Sequence, residues 1–252
     1  MSEVSSEILS FPDWSDEELA PMVADTPVVF PLEPPPDDAR RFMEKEWKRS
    51  DLQRYLKRWE EGYVPEIPEA LWDYTWRSCD VGSGFGYFSV EQSALFSERA
   101  YLAIDKGNRR GGRIAKRFPE FERPNLFAMH GNAIPILGQM PDDAFDLLTI
   151  FYPNPWWPKK HRKKRWAYHP LLAKLITLLK PGGEIMLCSN EAFYLSEWRY
   201  ALQNHPEIAH LVEETYCGLI RATSGRSHFE SKYLAAGTPC GEVCFRRRPL
   251  KE

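Results

Sequence analysis

No apolar run in this chain approaches the ~18–20 residues of a membrane-spanning helix, which excludes a helical integral membrane protein. The opening residues, MSEVSSEILSFPDW, offer neither a basic leader region nor an apolar one, so a secretory signal is not expected. Cysteine is sparse. The five residues Cys79, Cys188, Cys217, Cys240 and Cys244 contain no CxxC pair, which argues against a disulfide scaffold and a structural zinc site. Cys240 and Cys244 lie four apart without a His/Cys pair to complete a metal set, and they read as small buried apolar side chains. A reducing, cytoplasmic setting follows as the expectation, with no metal and no membrane partner.

Positive charge is missing from residues 1–39, which hold ten Asp/Glu, no Lys or Arg, and seven of the 21 prolines. The net charge of −3 therefore hides a segment of −10 attached to a body of +7. Acidic proline-rich chain resists helix and sheet, so 1–39 reads as an extension, with Phe11–Trp14 and Val28–Phe30 available to dock it. A solubilising tail is the favoured role; electrostatic shielding of a basic cleft is the second. The other 213 residues belong to an ordinary globular chain, 43% of the whole being hydrophobic and 27% charged.

From Arg40 to Tyr63, Phe42, Leu52, Tyr55, Leu56 and Trp59 recur at helical spacing behind Asp37 and Asp38, predicting one or two helices in a segment 40–75. From residue 76 the rhythm changes. Short apolar runs at Trp76–Val81, Tyr101–Asp105, Asn125–Gly131, Phe145–Tyr152 and Glu184–Ser189 alternate with helix-like stretches near 87–98, 107–118 and 168–180. Strands alternating with helices imply an α/β domain over 76–252 with a parallel, doubly covered sheet. Two further runs, Thr215–Ala222 and Gly241–Arg247, fit an antiparallel pair at its end.

The first strand runs into Asp80-Val81-Gly82-Ser83-Gly84-Phe85-Gly86. Glycines at a strand's carboxyl end permit a tight turn and close backbone approach to a ligand. Asp105 ends the second strand, where a carboxylate accepts ribose hydroxyls, and Asn132 ends the third, where an amide can address an adenine edge. The three positions describe a nucleoside cofactor lying across the strand ends. The turn is G-x-G-x-G, not the pattern that seats a pyrophosphate on a helix. Asp80 also places negative charge beside it, which disfavours a dinucleotide phosphate and suits a cation. S-adenosylmethionine fits on every count, and NAD is the disfavoured rival.

The fourth strand leads into Pro153-Asn154-Pro155-Trp156-Trp157-Pro158 and then Lys159 to Arg165, where six of seven residues are Lys or Arg. Two prolines restrict the backbone around Asn154. The tryptophans offer stacking planes, and cation density beside aromatics is a phosphate-binding footprint. His161, a base by type, sits among cations that should lower its pKa.

From about Asp80 to Arg247 the sequence resembles the tRNA (guanine-N7)-methyltransferase family of class I, S-adenosylmethionine-dependent enzymes. Tyr152-Pro153-Asn154-Pro155-Trp156 with the basic run is similar to the family's F-P-D-P-W and its cluster; Lys180-Pro181-Gly182-Gly183-Glu184, Ser189-Asn190 and Ser227-His228-Phe229-Glu230 stand at its other motifs. The resemblance implies a Rossmann-like seven-stranded sheet with one reversed strand. It assigns Asp80, Gly82, Gly84, Gly86, Asp105, Asn132 and Ala133 to the cofactor. It places Asn154 close to both cofactor and target base, as the catalytic position. Trp156, Trp157, Lys159, His161, Asn190, Ser227 and Glu230 line the substrate side.

Two family acids are Asn here, at 154 and 190. An Asn offers one acceptor and one donor where a carboxylate accepts twice, and it carries no charge to meet a cationic product ring. Three readings follow. The favoured one is methyl transfer to a guanine ring nitrogen in tRNA. The second is N-methylation of a small purine-like or other nitrogen heterocycle. The third is a silent RNA-binding subunit, against which the intact glycine turn and Asp105 speak.

Overall fold

The computed structural model describes residues 28–49, 52–57, 64–107, 111–222 and 225–249. The Phe11–Trp14 cluster, most of the acidic extension and Trp59 lie outside these residues. Seven strands form one sheet: β1 (Trp76–Val81), β2 (Arg99–Asp105), β3 (Leu126–His130), β4 (Phe145–Phe151), β5 (Leu179–Ser189), β6 (Val212–Leu219) and β7 (Gly241–Arg247). Their order is β3-β2-β1-β4-β5-β7-β6. All neighbours pair in parallel except β7, which is antiparallel to both β5 and β6. The mainly parallel sheet with an antiparallel carboxyl-terminal pair matches the sequence expectation. Burial explains why: Ala100 to Ile104 are all essentially inaccessible, as a strand covered on both faces must be.

Around the sheet pack α1 (Asp37–Arg49), α2 (Leu52–Leu56), α3 (Tyr87–Leu95), α4 (Gly111–Arg117), α5 (Ala133–Gln139), α6 (Leu171–Leu178), α7 (Ala192–Asn204) and α8 (His228–Ala235). Helix α1 opens at Asp37, three residues before the expected start. Asp37 and Asp38 occupy its first turn and Lys48 and Arg49 its last, matching the helix dipole at both ends. Its buried stripe is Ala39, Met43 and Trp47, four residues apart. Fully burying side chains of that size stabilises by roughly 1.5–3 kcal/mol each. The Trp47 indole N–H also donates to the Ala167 carbonyl at 2.9 Å. Met43, Trp47, Val28 and Leu32 belong to the main core cluster, so residues 28–49 are part of the folded body. Val28–Phe30 docks as the sequence suggested, beside Gly241.

Strand order fixes where a ligand can sit. β1 is flanked by β2 on one side and β4 on the other. The chain reverses its direction of travel there, and a crevice opens at the carboxyl ends of the strands.

Candidate functional site: a nucleoside cradle beside a basic loop

The glycine turn, Asp105, Asn132 and the basic loop after β4 fall at that carboxyl rim, whereas residues 180–184 lie in the first half of β5, opposite the start of β4. Gly82, Gly84 and Gly86 all have φ between +62° and +76°, a region that side-chain-bearing residues rarely adopt. A Cβ added at Gly82 or Gly84 would meet nothing within 4 Å, so these two backbones border open space; at Gly86 it would strike the Phe118 ring. The turn is tied to β2: Gly82 and Ser83 N–H groups donate to the Ile104 carbonyl at 2.8 and 3.0 Å.

Asp105 is buried at the end of β2. Its Oδ2 accepts from the Gly84 N–H at 3.0 Å and its Oδ1 from the Gly107 N–H at 2.7 Å. Each oxygen keeps lone-pair capacity for a ribose hydroxyl, and the carboxylate fixes the turn as well. Asn132 caps α5, its amide oxygen accepting from the Ile134 N–H at 3.1 Å. That leaves the amide NH₂ as the group able to reach an adenine acceptor, with Ala133 as the next residue in.

Asp80, at the end of β1, is 2% exposed, and the Thr149 hydroxyl donates to its Oδ1 at 2.9 Å. Burial pushes its pKa up to about 7 against Thr149's opposing hydrogen bond, and the charge of Asp105 adds to the rise. Among the described residues no cation pairs with this carboxyl, and a buried acid so placed is poised to receive one. Open-bordered glycines, a carboxylate at the β2 end and an uncompensated acid at the β1 end fit S-adenosylmethionine's adenosine and cationic methionine portions. Thr149, which orients Asp80, was not singled out from the sequence; it sits mid-strand among apolar residues, where no motif marks it.

The loop after β4 is held from both ends. Asn154 is exposed at its tip, and its Oδ1 accepts from the Trp156 N–H at 3.0 Å. Tyr152 and Trp156 both take φ +49°, unusual for aromatic residues. Arg165, read from sequence as one of the phosphate-binding cations, is instead buried. Its Nε donates to the Pro155 carbonyl at 2.8 Å and its Nη2 to the Trp156 carbonyl at 2.9 Å. Its Nη1 reaches both Glu197 oxygens at 2.7 and 2.9 Å, and the Tyr168 hydroxyl donates to the same carboxylate. The guanidinium thus gathers the loop's carbonyls from behind. Glu197, on α7, carried no sequence signal.

The four lysines of the run face out, whereas the Arg162 side chain is only 13% exposed. Lys159, Lys160, Lys163 and Lys164 are exposed. Lys164 lies over the Trp156 ring at 4.2 Å, and the His161 ring is 5.8 Å from the same indole. Trp156 is therefore flanked by cation and imidazole. Desolvation and the charges of Lys164 and Lys160 lower the His161 pKa, as expected among cations. Trp157 is half-buried, and its inaccessible indole N–H meets no acceptor among the described residues. Asp38, at the start of α1, bridges Arg162 at 3.0 Å and Lys159 at 3.4 Å, so acidic chain does contact the basic loop. Those cations hold the Asp38 carboxyl below its ordinary value, with the Arg162 hydrogen bond the largest cause.

Across the crevice, Asn190 is buried after β5 and donates its amide to Glu191 Oε1 at 3.2 Å. A carboxylate therefore stands one residue along from the Asn. Ser227 caps α8, accepting from the Glu230 N–H at 3.1 Å. Glu230 is fully buried, and Arg226 and Tyr152 take up both its oxygens. The four cysteines 79, 188, 240 and 244 are buried and all five are free. Among the described residues no cluster of three His, Cys, Asp or Glu could hold a metal ion, and no helix is long and apolar enough to cross a membrane.

Residues 76–242 match the Methyltransf_4 family, described as "Putative methyltransferase". A tRNA (guanine-N(7)-)-methyltransferase of Chromobacterium violaceum is 30% identical over 172 residues, covering 67% of this chain and 74% of that protein. One from Rhodopirellula baltica is 27% identical over 176 residues, covering 67% of this chain and 65% of that protein, just under two thirds of its length. Among solved structures, the 16S rRNA methyltransferase KamB superposes with a TM-score of 0.53 at 16% identity, over 74% of this chain and 97% of that one. A 16S rRNA (adenine(1408)-N(1))-methyltransferase variant from Catenulisporales acidiphilia, with cosubstrate SAM, gives 0.52 at 15% identity, over 75% and 96%. The likeness to both structures is one of fold. Taken with the glycine turn, the Asp105 carboxylate and the cation-ready Asp80, the match over two thirds of the sequence shows that the chain belongs to the Methyltransf_4 family of S-adenosylmethionine-dependent methyltransferases.

Proposed function

We propose that this chain methylates a ring nitrogen of guanine in tRNA, N7 being the position named for its relatives. The observation that carries the reading is the placement of an exposed lysine cluster beside Asn154 and Trp156, on the same rim as the nucleoside cradle. Such a surface suits a polyphosphate whose base enters the crevice.

The cofactor supplies an electrophilic methyl group on a sulfonium. Guanine N7 attacks through its lone pair and loses no proton, so no general base is required. The protein's task is alignment and charge. Asp80 would hold the cationic methionine portion, Asp105 the ribose, and Asn132 with Ala133 the adenine edge. Asn154 would meet the base at the loop tip, its NH₂ free to donate because Oδ1 is used by Trp156. The product ring is cationic, and a carboxylate at 154 would stabilise it better. One charge-assisted contact is worth about 1.5–3 kcal/mol, or ten- to a hundredfold in rate.

The test is mass spectrometry of unmodified tRNA after incubation with labelled cofactor, beside a small-metabolite extract. Label in guanine of tRNA is expected. Turnover of a free heterocycle with none in tRNA would replace this reading by a small-molecule N-methyltransferase. Asn154→Asp should raise guanine methylation; a loss would count against the charge argument.

A further inference from the structure

Glu230 stands at a position that sequence likeness assigns to the base pocket, but its hydrogen-bonding capacity is spent. Oε1 accepts from the Tyr152 hydroxyl at 3.1 Å and from Arg226 Nη2 at 2.8 Å. Oε2 accepts from the Arg226 backbone N–H at 2.8 Å and from its Nε at 2.9 Å. Four donors on one fully buried carboxylate leave nothing for a guanine edge. Arg226 is held in turn. Its Nη1 donates to Glu242 Oε2 at 2.8 Å, and its guanidinium lies 4.9 Å over the Phe151 ring at the end of β4. Glu242 is fully buried and also accepts from Arg221 Nε at 2.7 Å.

We infer that Glu230, backed by Arg226 and Glu242, is a positioning residue that fixes Tyr152 and, through it, the angle at which the Asn154 tip meets the reacting base. The inference rests on the methyl-transfer reading for its kinetic test. Tyr152 is the hinge of the loop. Its backbone is left-handed, a conformation that must be over-determined to persist in an aromatic residue. Its tethers include its N–H on the Cys188 carbonyl at 2.8 Å, its ring 5.5 Å from Tyr233, and its hydroxyl, which meets Glu230 and also the Cys240 thiol. The hydroxyl contact with Glu230 ties α8 to the residue that follows β4. A buried ion lattice gives little net stability over apolar packing, and its directionality suits a positioning role. Arg165 grips the loop from the other side, so the tip is fixed between two guanidinium-centred assemblies.

The test compares Tyr152→Phe, Glu230→Gln and the double variant, each shown by calorimetry to bind S-adenosylmethionine within twofold of wild type. The expected result is a kcat about tenfold lower for each single variant, KM for tRNA within twofold, and a double variant no slower than the slower single. A Tyr152→Phe enzyme with wild-type kcat, a Glu230→Gln effect confined to KM, or effects that multiply would overturn the inference. An independent readout is fluorine NMR of protein carrying 5-fluorotryptophan. Both single variants should shift the Trp156 and Trp157 resonances together while leaving Trp198 in place. Unmoved loop resonances overturn the positioning role, and they do so whether or not tRNA proves to be the substrate.

Discussion

Asp80→Asn should stabilise the cofactor-free protein while destroying its affinity for S-adenosylmethionine. The carboxyl is raised from its ordinary 3.8 to about 7, chiefly by burial. A group whose folded pKa lies above its unfolded one favours folding most when protonated in both states, and that advantage is lost as pH rises from about 4 to about 7. At 1.36 kcal/mol per unit, keeping the carboxyl buried costs about 4 kcal/mol at pH 8, where it is ionised, and about 1.5 kcal/mol at pH 5, where folding must protonate it, upper values because the fold can relax. Asparagine keeps an acceptor for the Thr149 hydroxyl and never pays this cost. Urea titrations at pH 5 and pH 8 should show the variant gaining on wild type by about 2.5 kcal/mol between the two. Binding of the cation should conversely tighten in wild type as pH rises towards 8, because the carboxyl is then ionised, and should be lost in the variant. Parallel stability curves for the two proteins, or a variant that still binds the cofactor normally, would refute the account of this residue.

Breaking the Arg165–Glu197 pair by Glu197→Gln should destabilise by about 3–5 kcal/mol in urea titration, since it strands a buried guanidinium. Replacing Lys160, Lys163 and Lys164 by Gln should flatten the salt dependence of tRNA binding by a log–log slope of roughly 2–3, measured by filter binding from 50 to 200 mM salt. Asp38→Asn frees Lys159 and Arg162, so tRNA affinity should rise a few-fold at low salt and converge with wild type at high salt.

The sheet was largely legible in the sequence. Strands β1 and β7 begin and end where their apolar runs do, because interior strands need apolar side chains on both faces. The glycine turn, Asp105 and Asn132 were found because each ends such a run. Helices α5, α7 and α8 were not foreseen. Pro135 and Gly138 lie inside α5 and mask its periodicity, while α8 spans only eight residues. In α7 the stripe Tyr194, Leu195, Trp198, Ala201 and Leu202 is interrupted by the buried Glu197, whose partner Arg165 lies 32 residues away. The same long-range pairing explains the misreading of Arg165. A cation's neighbours in sequence say it is one of a cluster, and only the fold reveals that it points inward. Glu230 shows the converse, a residue in a recognisable motif whose oxygens are claimed by groups the motif does not contain.

Because Arg165 holds the carbonyls of Pro155, Trp156 and Trp157, the curve of the loop owes more to main-chain atoms than to the side chains it displays. The residue at 154 can therefore be exchanged between amide and acid with the acceptor for Trp156 retained. Such a scaffold allows a change of substrate to begin with a single codon, without the whole mouth having to be rebuilt.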